Sequence, residues 1–571
     1  MTEPRLKAAR PLLSAEPENA GPSARLRTIL SSALAWDILL AAITLAWSVL
    51  FVRLFFPGRV NVDIAEQYLQ ATGKHPFTDW HPPVMSAVWH GLIELTGEAG
   101  SLLVLQVGLL AASAWLIGVL LHRTGTPRWM SLLGPAMMAT PWVVSQMTTL
   151  WKDTQLAVAL LLGTLLIVIT RFVPRAWILW LPALVLLVYA VGVRKNAVFA
   201  VVPIAVYGGW CILSWWRNRR EPSRSATRKH GRSILLTAVL SLIVLVLIGG
   251  GVKATDAAID AQVGVEKTGQ ISQIFLDDVM FSVPESRLQA SDAPQELKDH
   301  ISSARDICLE KGETWDAYWN CYGRGTTGRA FSPIAYQDEL KKLWLSEVIT
   351  HPVSYIEYRT AVFSSYFFSS KLEYWEATWD GDAEKVGFDP GSVKADYIFR
   401  PYVEDFALAT FPMLFKPWFW TLVAVVLLGL AYRARRRTGG DLRGRAAGDH
   451  TSTCESTLSD DRASARGITP TGEIASDTRR VANRARTFWP EITTLAASAL
   501  CYVFGYFPIV PANHFRYTFW PALALTAAGV LAVAMWRHPW KRGPGGTAHS
   551  EVGSNRVAAT PRRAASSNSE T

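Results

Sequence analysis

Long apolar runs broken by short polar clusters set the character of this chain. Runs at 29–56, 99–121, 128–150, 154–171, 176–193, 196–216, 233–252, 411–432, 488–510 and 516–536 approach or exceed the roughly 20 residues that a helix needs to cross a bilayer. They predict ten spans. The period-two alternation of a membrane barrel is not seen. Residues 82–96 also read as helical, but they are shorter and start at Pro82-Pro83, which predicts an interfacial helix rather than a span. Between the seventh and eighth runs, 253–410 is polar yet rich in aromatics such as Trp315, Trp319, Trp344, Tyr355 and Tyr358. Helical patterns near 294–310 and 336–370, one with Asp338-Glu339 and Lys341-Lys342 leading into Leu343-Trp344-Leu345, predict a small folded domain outside the bilayer. The expected fold is therefore an α-helical polytopic membrane protein with about ten transmembrane helices and a mixed or mainly helical domain in one long outer loop.

Composition agrees with that pattern. Half of the 571 residues are hydrophobic and 18% are charged, and 24 are tryptophan, a residue that gathers at membrane interfaces. The net charge of +10 does not point to nucleic acid, because the basic residues cluster in particular loops. Arg5, Lys7, Arg10, Arg25 and Arg27 precede the first run; Arg217, Arg219, Arg220, Arg224, Arg228, Lys229 and Arg232 follow the sixth; Arg433, Arg435, Arg436 and Arg437 follow the eighth; Arg537, Lys541 and Arg542 follow the last. Ten spans put all of these on one side, which the positive-inside rule makes the cytoplasm. The expected location is the plasma membrane, multi-pass, with both termini cytoplasmic and no cleavable signal peptide, since the first apolar run is too long for a signal core. The expected organisation is a disordered tail over 1–28, a seven-span membrane region over 29–252 with a first outer loop at 57–98, an extracytoplasmic domain over 253–410, span eight at 411–432, a disordered linker over 433–487, spans nine and ten within 488–536, and a disordered tail over 537–571.

Of the five cysteines, Cys211 and Cys501 lie in apolar runs and Cys454 in a Ser-rich loop. Cys308 and Cys321 share the long outer loop, which predicts a disulfide in an oxidising compartment.

Under this topology the chemistry-bearing clusters fall at one rim. The first outer loop carries Asp63 and Glu66, which share a face if helical. They read as a base with its orienting partner, as ligands of a divalent metal ion, or as a solvated helix face. Asp79-Trp80-His81-Pro82-Pro83 follows, with Asp79 a further candidate acid–base group or a helix cap. Lys152-Asp153 reads as a catalytic element or as a self-satisfied ion pair. Arg194-Lys195-Asn196 reads as snorkelling anchors or as a phosphate site; two adjacent cations at an outer end run against the positive-inside trend. His514-Phe515-Arg516-Tyr517 opens the last span, and arginine's planar fork suits a phosphate. Phe275-Leu276-Asp277-Asp278 reads as a helix cap or surface turn.

Asp63 in the first outer loop, followed by Asp79-x-His81-Pro82-Pro83 leading into a membrane-proximal helix, resembles the GT-C glycosyltransferases. These are integral-membrane enzymes that use polyprenyl-phosphate sugars, such as protein O-mannosyltransferases and the lipid A aminoarabinose transferase. The Arg516-Tyr517 pair before Pro521 is similar to an element of the same enzymes. The resemblance implies a glycosyltransferase that moves a sugar from a polyprenyl-phosphate donor to a cell-envelope glycan, lipid or protein at the outer face. It implies Asp63 as the base, with Glu66 and Asp79 beside it. His81, Lys152, Asp153, Arg194, Lys195, His514, Arg516 and Tyr517 would bind substrate. The resemblance covers the membrane region, not 253–410 or 433–487.

Two other readings stay open. A transporter or flippase of lipid-linked glycans would place charges near the bilayer midplane, and a polysaccharide polymerase or ligase would rely on Arg and His in the long loop. No nucleotide-binding glycine motif, zinc spacing or Ser-His-Asp arrangement stands out, which argues against an ATP-driven pump.

Overall fold

The computed structural model describes residues 32–220, 230–323, 334–368, 383–384, 386–387, 397–449, 487–510 and 512–536. The two tails and most of the predicted linker lie outside the described residues. Within them the chain is helical, and two isolated bridges, Arg59 with Thr149 and Thr78 with Glu266, are the extended pairings.

Eight helices are long and apolar enough to cross a membrane. They include α1 (Ala33–Phe55), α4 (Ser101–Arg123), α5 (Lys152–Phe172), α6 (Trp180–Val193, extended backwards by a 3-10 turn from Pro174), α7 (Ala197–Arg220), α8 (His230–Val263), α12 (Pro417–Asp449) and α14 (Phe519–Trp536). Shorter helices stand between them: α2 (Val62–Ala71), α3 (Val84–Thr96), α9 (Ser272–Ser282), α10 (Gln295–Lys311) and α11 (Pro352–Phe368), with α13 (Trp489–Gly505) before the last. The interfacial helix expected over 82–96 is α3, which starts directly after Pro83.

Two of the ten predicted spans take other forms. The run at 128–150 is a chain of short pieces, Arg128–Leu132, Leu133–Ala136, Met137–Ala139 and Pro141–Met147. Pro135 and Pro141 each remove an amide donor. Gly134 lets this segment lie directly on α4, where a Cβ would stand 2.5 Å from the Ala114 carbonyl oxygen; small residues permit such contact where lipid supplies no hydrophobic drive. The segment still runs the height of the bundle. Ser131 Oγ accepts from Trp36 Nε1 at the start of α1 (2.8 Å), and Thr149 is bridged to Arg59 just past the end of α1. The other difference is α13, which is shorter than the run at 488–510. In addition, α12 continues to Asp449, into the segment expected to be a disordered linker.

The centre of the bundle is α5 and α14, with 72% of the most apolar window of each span buried, against 17% for α8 at the periphery. Two ion pairs tie the end away from the site. Asp37 of α1 meets His122 (2.6 Å) and Arg123 of α4, and Arg171 of α5 meets Glu491 of α13. Residues 265–348 build a second core from Leu276, Val279, Met280, Leu297, Ile301 and Leu340, into which Trp80 inserts from the first loop. A fully buried Asp278–Arg359 pair (2.7 Å), capped by Trp344 Nε1 (2.8 Å), joins α9 to α11. Asp277-Asp278 is therefore interior, not a surface turn. Cys308 and Cys321 form a disulfide, with Cα atoms 5.4 Å apart.

Candidate active site

The starts of α2 and α5, the end of α6 and the approach to α14 converge on a cavity of about 680 Å³, roofed by residues 311–320 of the second core. Asn61 starts α2, its side chain accepting from Ile64 N (3.1 Å). That cap places Asp63 in the first turn, where the helix dipole favours an anion. Arg516 Nη1 donates to Asp63 Oδ2 (3.0 Å), Arg516 Nη2 donates to Tyr517 Oη (2.9 Å), and the guanidinium lies 4.1 Å from the Trp151 ring centroid. Lys152 Nζ donates to His81 Nδ1 (2.6 Å). The His81 proton is then on Nε2, which faces Asp63 Oδ1 at 3.7 Å.

The charges follow from this packing. Burial opposes ionisation of Asp63, but the His81 ring, Arg516 and Lys152 outweigh it and hold the carboxyl well below the usual carboxylate range. Burial, then Lys152, keeps His81 well below the usual imidazole range against the pull of Asp63. Burial and Arg516 push His514 down to about 3. Arg194 pairs with Asp153, Nη1 donating to Oδ2 (3.0 Å) and Nε standing 3.0 Å from Oδ1; it donates from Nη2 to Tyr506 Oη (3.2 Å) and lies 4.8 Å from the Tyr517 ring centroid.

Of the residues singled out by sequence, Asp63, His81, Lys152, Arg194, Lys195, His514, Arg516 and Tyr517 line this one cavity. Three others go elsewhere. Glu66 bonds to His75 (3.0 Å) and does not line the cavity. Asp79 Oδ1 accepts from Thr268 N and Oγ1 (both 2.6 Å), fastening the first loop to the segment after α8. Asp153 lies behind the wall, under Arg194. Lys152 and Asp153 do not pair with each other, because consecutive helical residues project about 100° apart; each finds its own partner. Lys195 sits at the rim, half-exposed, bonded to Asp256 of α8 (2.6 Å). Residues 311–320 went unnoticed as site residues, although Trp315, Asp316 and Trp319 line the cavity. The aromatic density of that stretch is the signal that could have found them.

Asp63 lines the cavity and Glu66 does not, and Arg516 stands beside Asp63. Among the described residues no group of three or more His, Cys, Asp and Glu side chains is placed to hold a metal ion.

No protein-family model matches the chain, and comparison with curated proteins gives no match. Among solved structures the chain is similar to the protein O-mannosyltransferase Pmt1–Pmt2 complex of S. cerevisiae bound to the sugar donor, at 18% identity and a TM-score of 0.31. The likeness covers 44% of this chain and 37% of that one. At that TM-score it adds nothing to what the cavity itself supports.

Proposed function

We propose that this chain is an integral-membrane glycosyltransferase of the GT-C type, moving a sugar from a polyprenyl-phosphate donor to a hydroxyl of an envelope acceptor. The observation that carries the reading is the contact of a carboxylate, Asp63, with Arg516 inside a cavity at the helix ends, with Lys152 and Arg194 in the same wall. A glycosyl transfer from a lipid phosphate asks for these two things side by side: a base for the acceptor and fixed positive charge for the departing phosphate.

In the proposed step, an Asp63 carboxylate oxygen takes the proton of the acceptor hydroxyl. The hydroxyl oxygen forms the bond to the anomeric carbon. The bond from that carbon to the phosphate oxygen breaks, and its electron pair leaves on the lipid phosphate. Arg516, Lys152 and Arg194 stabilise the charge that develops there. The phosphate is a good leaving group, so no protein acid is needed. Arg516 has a double duty in this scheme. A donor phosphate competes with Asp63 for its guanidinium, and as Arg516 turns to the phosphate the carboxylate loses its main counter-ion and becomes a stronger base. Base strength thus rises when the donor is in place.

The sidedness of the reading rests on charge. Arg217 and Arg219 of α7 and Arg433, Arg435 and Arg436 of α12 lie toward the helix ends away from the cavity, which supports an outer-face site by the positive-inside rule. The test is transfer itself. Membranes containing the full chain are given labelled polyprenyl-phosphate sugars and the products are resolved by thin-layer chromatography. Label moving to a new acceptor in the wild type, and not in Asp63→Asn, is the expected result. Movement of intact lipid-linked glycan across the bilayer with no bond exchanged would overturn the reading in favour of a transporter.

A further inference from the structure

The roof of the cavity carries a carboxyl that the proposed transfer step leaves without a task. Asp316 is one of two described residues other than glycine with a positive φ, at 52°, a conformation that is uncommon for a side-chain-bearing residue and that gathers at functional sites. Its surroundings enforce it. Asp277 Oδ2 accepts from the Asp316 amide (3.2 Å) and Asp277 Oδ1 from the Ala317 amide (2.9 Å). Tyr358 Oη donates to the Thr314 carbonyl (3.0 Å), Trp80 packs on Tyr318 at 4.8 Å between ring centroids, and the Cys308–Cys321 disulfide closes the loop. The outcome of this effort is that Asp316, Trp315 and Trp319 all line the cavity. The Asp316 backbone carbonyl is used by Trp319 and Asn320, but among the described residues no side chain or amide is bonded to its carboxyl.

We propose that Trp315, Asp316 and Trp319 form the subsite that grips the glycosyl ring of the donor, with Asp316 as the specificity-determining residue and Asp277 as its positioning residue. A sugar ring has an apolar face of C–H groups and an equator of hydroxyls. Tryptophan offers a large rigid surface for the first, and a carboxyl offers hydrogen bonds to the second. Burial, together with the carboxylates of Asp277 and Asp63, pushes the Asp316 carboxyl well above the usual range. A carboxyl presents two oxygens side by side, which matches a pair of neighbouring hydroxyls. The location fits the donor, because Asp316 is close enough to feel the charges of both Asp63 and Arg516, the groups that the proposed step gives to the acceptor and to the phosphate.

The proposal rests on the glycosyltransferase reading, and the test separates the two. The purified full chain in nanodiscs is titrated with bare polyprenyl phosphate and with the same lipid carrying glucose, galactose or mannose. The wild type is expected to bind one sugar-bearing lipid more tightly than the bare lipid. Asp316→Ala should lose that preference, weakening the sugar-bearing lipid by about tenfold or more, the size of a lost hydrogen bond to a buried or charged group, with the bare lipid unchanged. Asp316→Asn, which tolerates the positive φ, guards against misfolding and should bind the bare lipid as the wild type does while its ranking of the three sugars changes. Asp277→Ala should reproduce the Asp316→Ala loss, and Asp277→Asn, which keeps an acceptor for one of the two amides and sets an NH2 group against the other, should lose part of the preference. Wild-type sugar preference in both Asp316 variants would overturn the subsite and leave the transferase reading standing. A wild type that binds none of the lipids would overturn both.

Discussion

Asp63 and Arg516 meet in a wall open to the cavity, whereas Asp153 and Arg194 close on each other in a wall turned into the bundle. The side chain of Asp63 keeps 16% of its surface exposed and that of Asp153 keeps 1%. The first pair can trade partners with a ligand. The second cannot do so without leaving an ion stranded in a dry interior, although the far face of Arg194 still presents positive charge to the cavity. One carboxylate–guanidinium chemistry therefore yields a pair open to a ligand and a closed one, and the difference lies in the access to water.

The largest effect should come from breaking the closed pair. Asp153→Ala leaves Arg194 buried without its partner, and removing one member of a buried pair costs about 3–5 kcal/mol. We expect loss of folded protein, read as aggregation on detergent size-exclusion chromatography. A monodisperse, fully active Asp153→Ala protein would erase the distinction between the two pairs. Asp63→Asn should behave in the opposite manner, folding normally while turnover falls by about 100-fold or more, the range for losing a general base; unimpaired transfer would remove Asp63 from the chemistry. Arg516→Lys keeps the charge but loses the planar fork that spans Asp63 and Tyr517, so donor affinity should drop by about tenfold, and unchanged binding would mean that a point charge suffices.

The smallest effect is on pH dependence. Burial pushes Asp277 up to about 7 against the pull of the Ala317 amide and Arg359. Its folded pKa is raised, so the folded state holds the proton more tightly than the unfolded chain. That contribution is complete below the ordinary carboxyl value of about 4 and is lost as pH rises through 7. The wild type should therefore melt a little lower at pH 8 than at pH 5, and Asp277→Asn should flatten that slope. Equal slopes by tryptophan fluorescence would mean that Asp277 does not titrate in this window.

The same contrast explains what could be read from the sequence. Apolar runs marked where the helices lie, because the length that spans a bilayer is a property of the local sequence. The breaks at Pro135 and Pro141 inside one run were equally local but outweighed by its hydropathy. Asp63 and Arg516 were each visible as ionisable groups at the ends of such runs. Their contact, across 453 residues of chain, depends on the packing of α2 against the approach to α14 and has no local signal. Spacing put Glu66 beside Asp63 on one helix face, yet Glu66 bonds to His75 and does not line the cavity. Asp79 looked like chemistry because it stands next to Trp80-His81, and its actual contact with Thr268 could be known only once α8 was seen to return the chain to the first loop. Asp316 was hidden altogether, since its unusual backbone is imposed by Asp277 from another helix.

The first turn of α5 has a mechanical meaning. Lys152 reaches toward His81 and Asp63, while the very next residue, Asp153, is clamped to Arg194 at the end of α6. A single helical tip thus acts as a two-armed lever between the movable charges and the fixed ones. If the donor pulls Lys152 toward its phosphate, the torque on that tip is resisted by the buried pairing of Asp153 with Arg194. The carboxylate, the cations and the helix ends then stay aligned as charge shifts through the cavity, without the bundle having to rearrange.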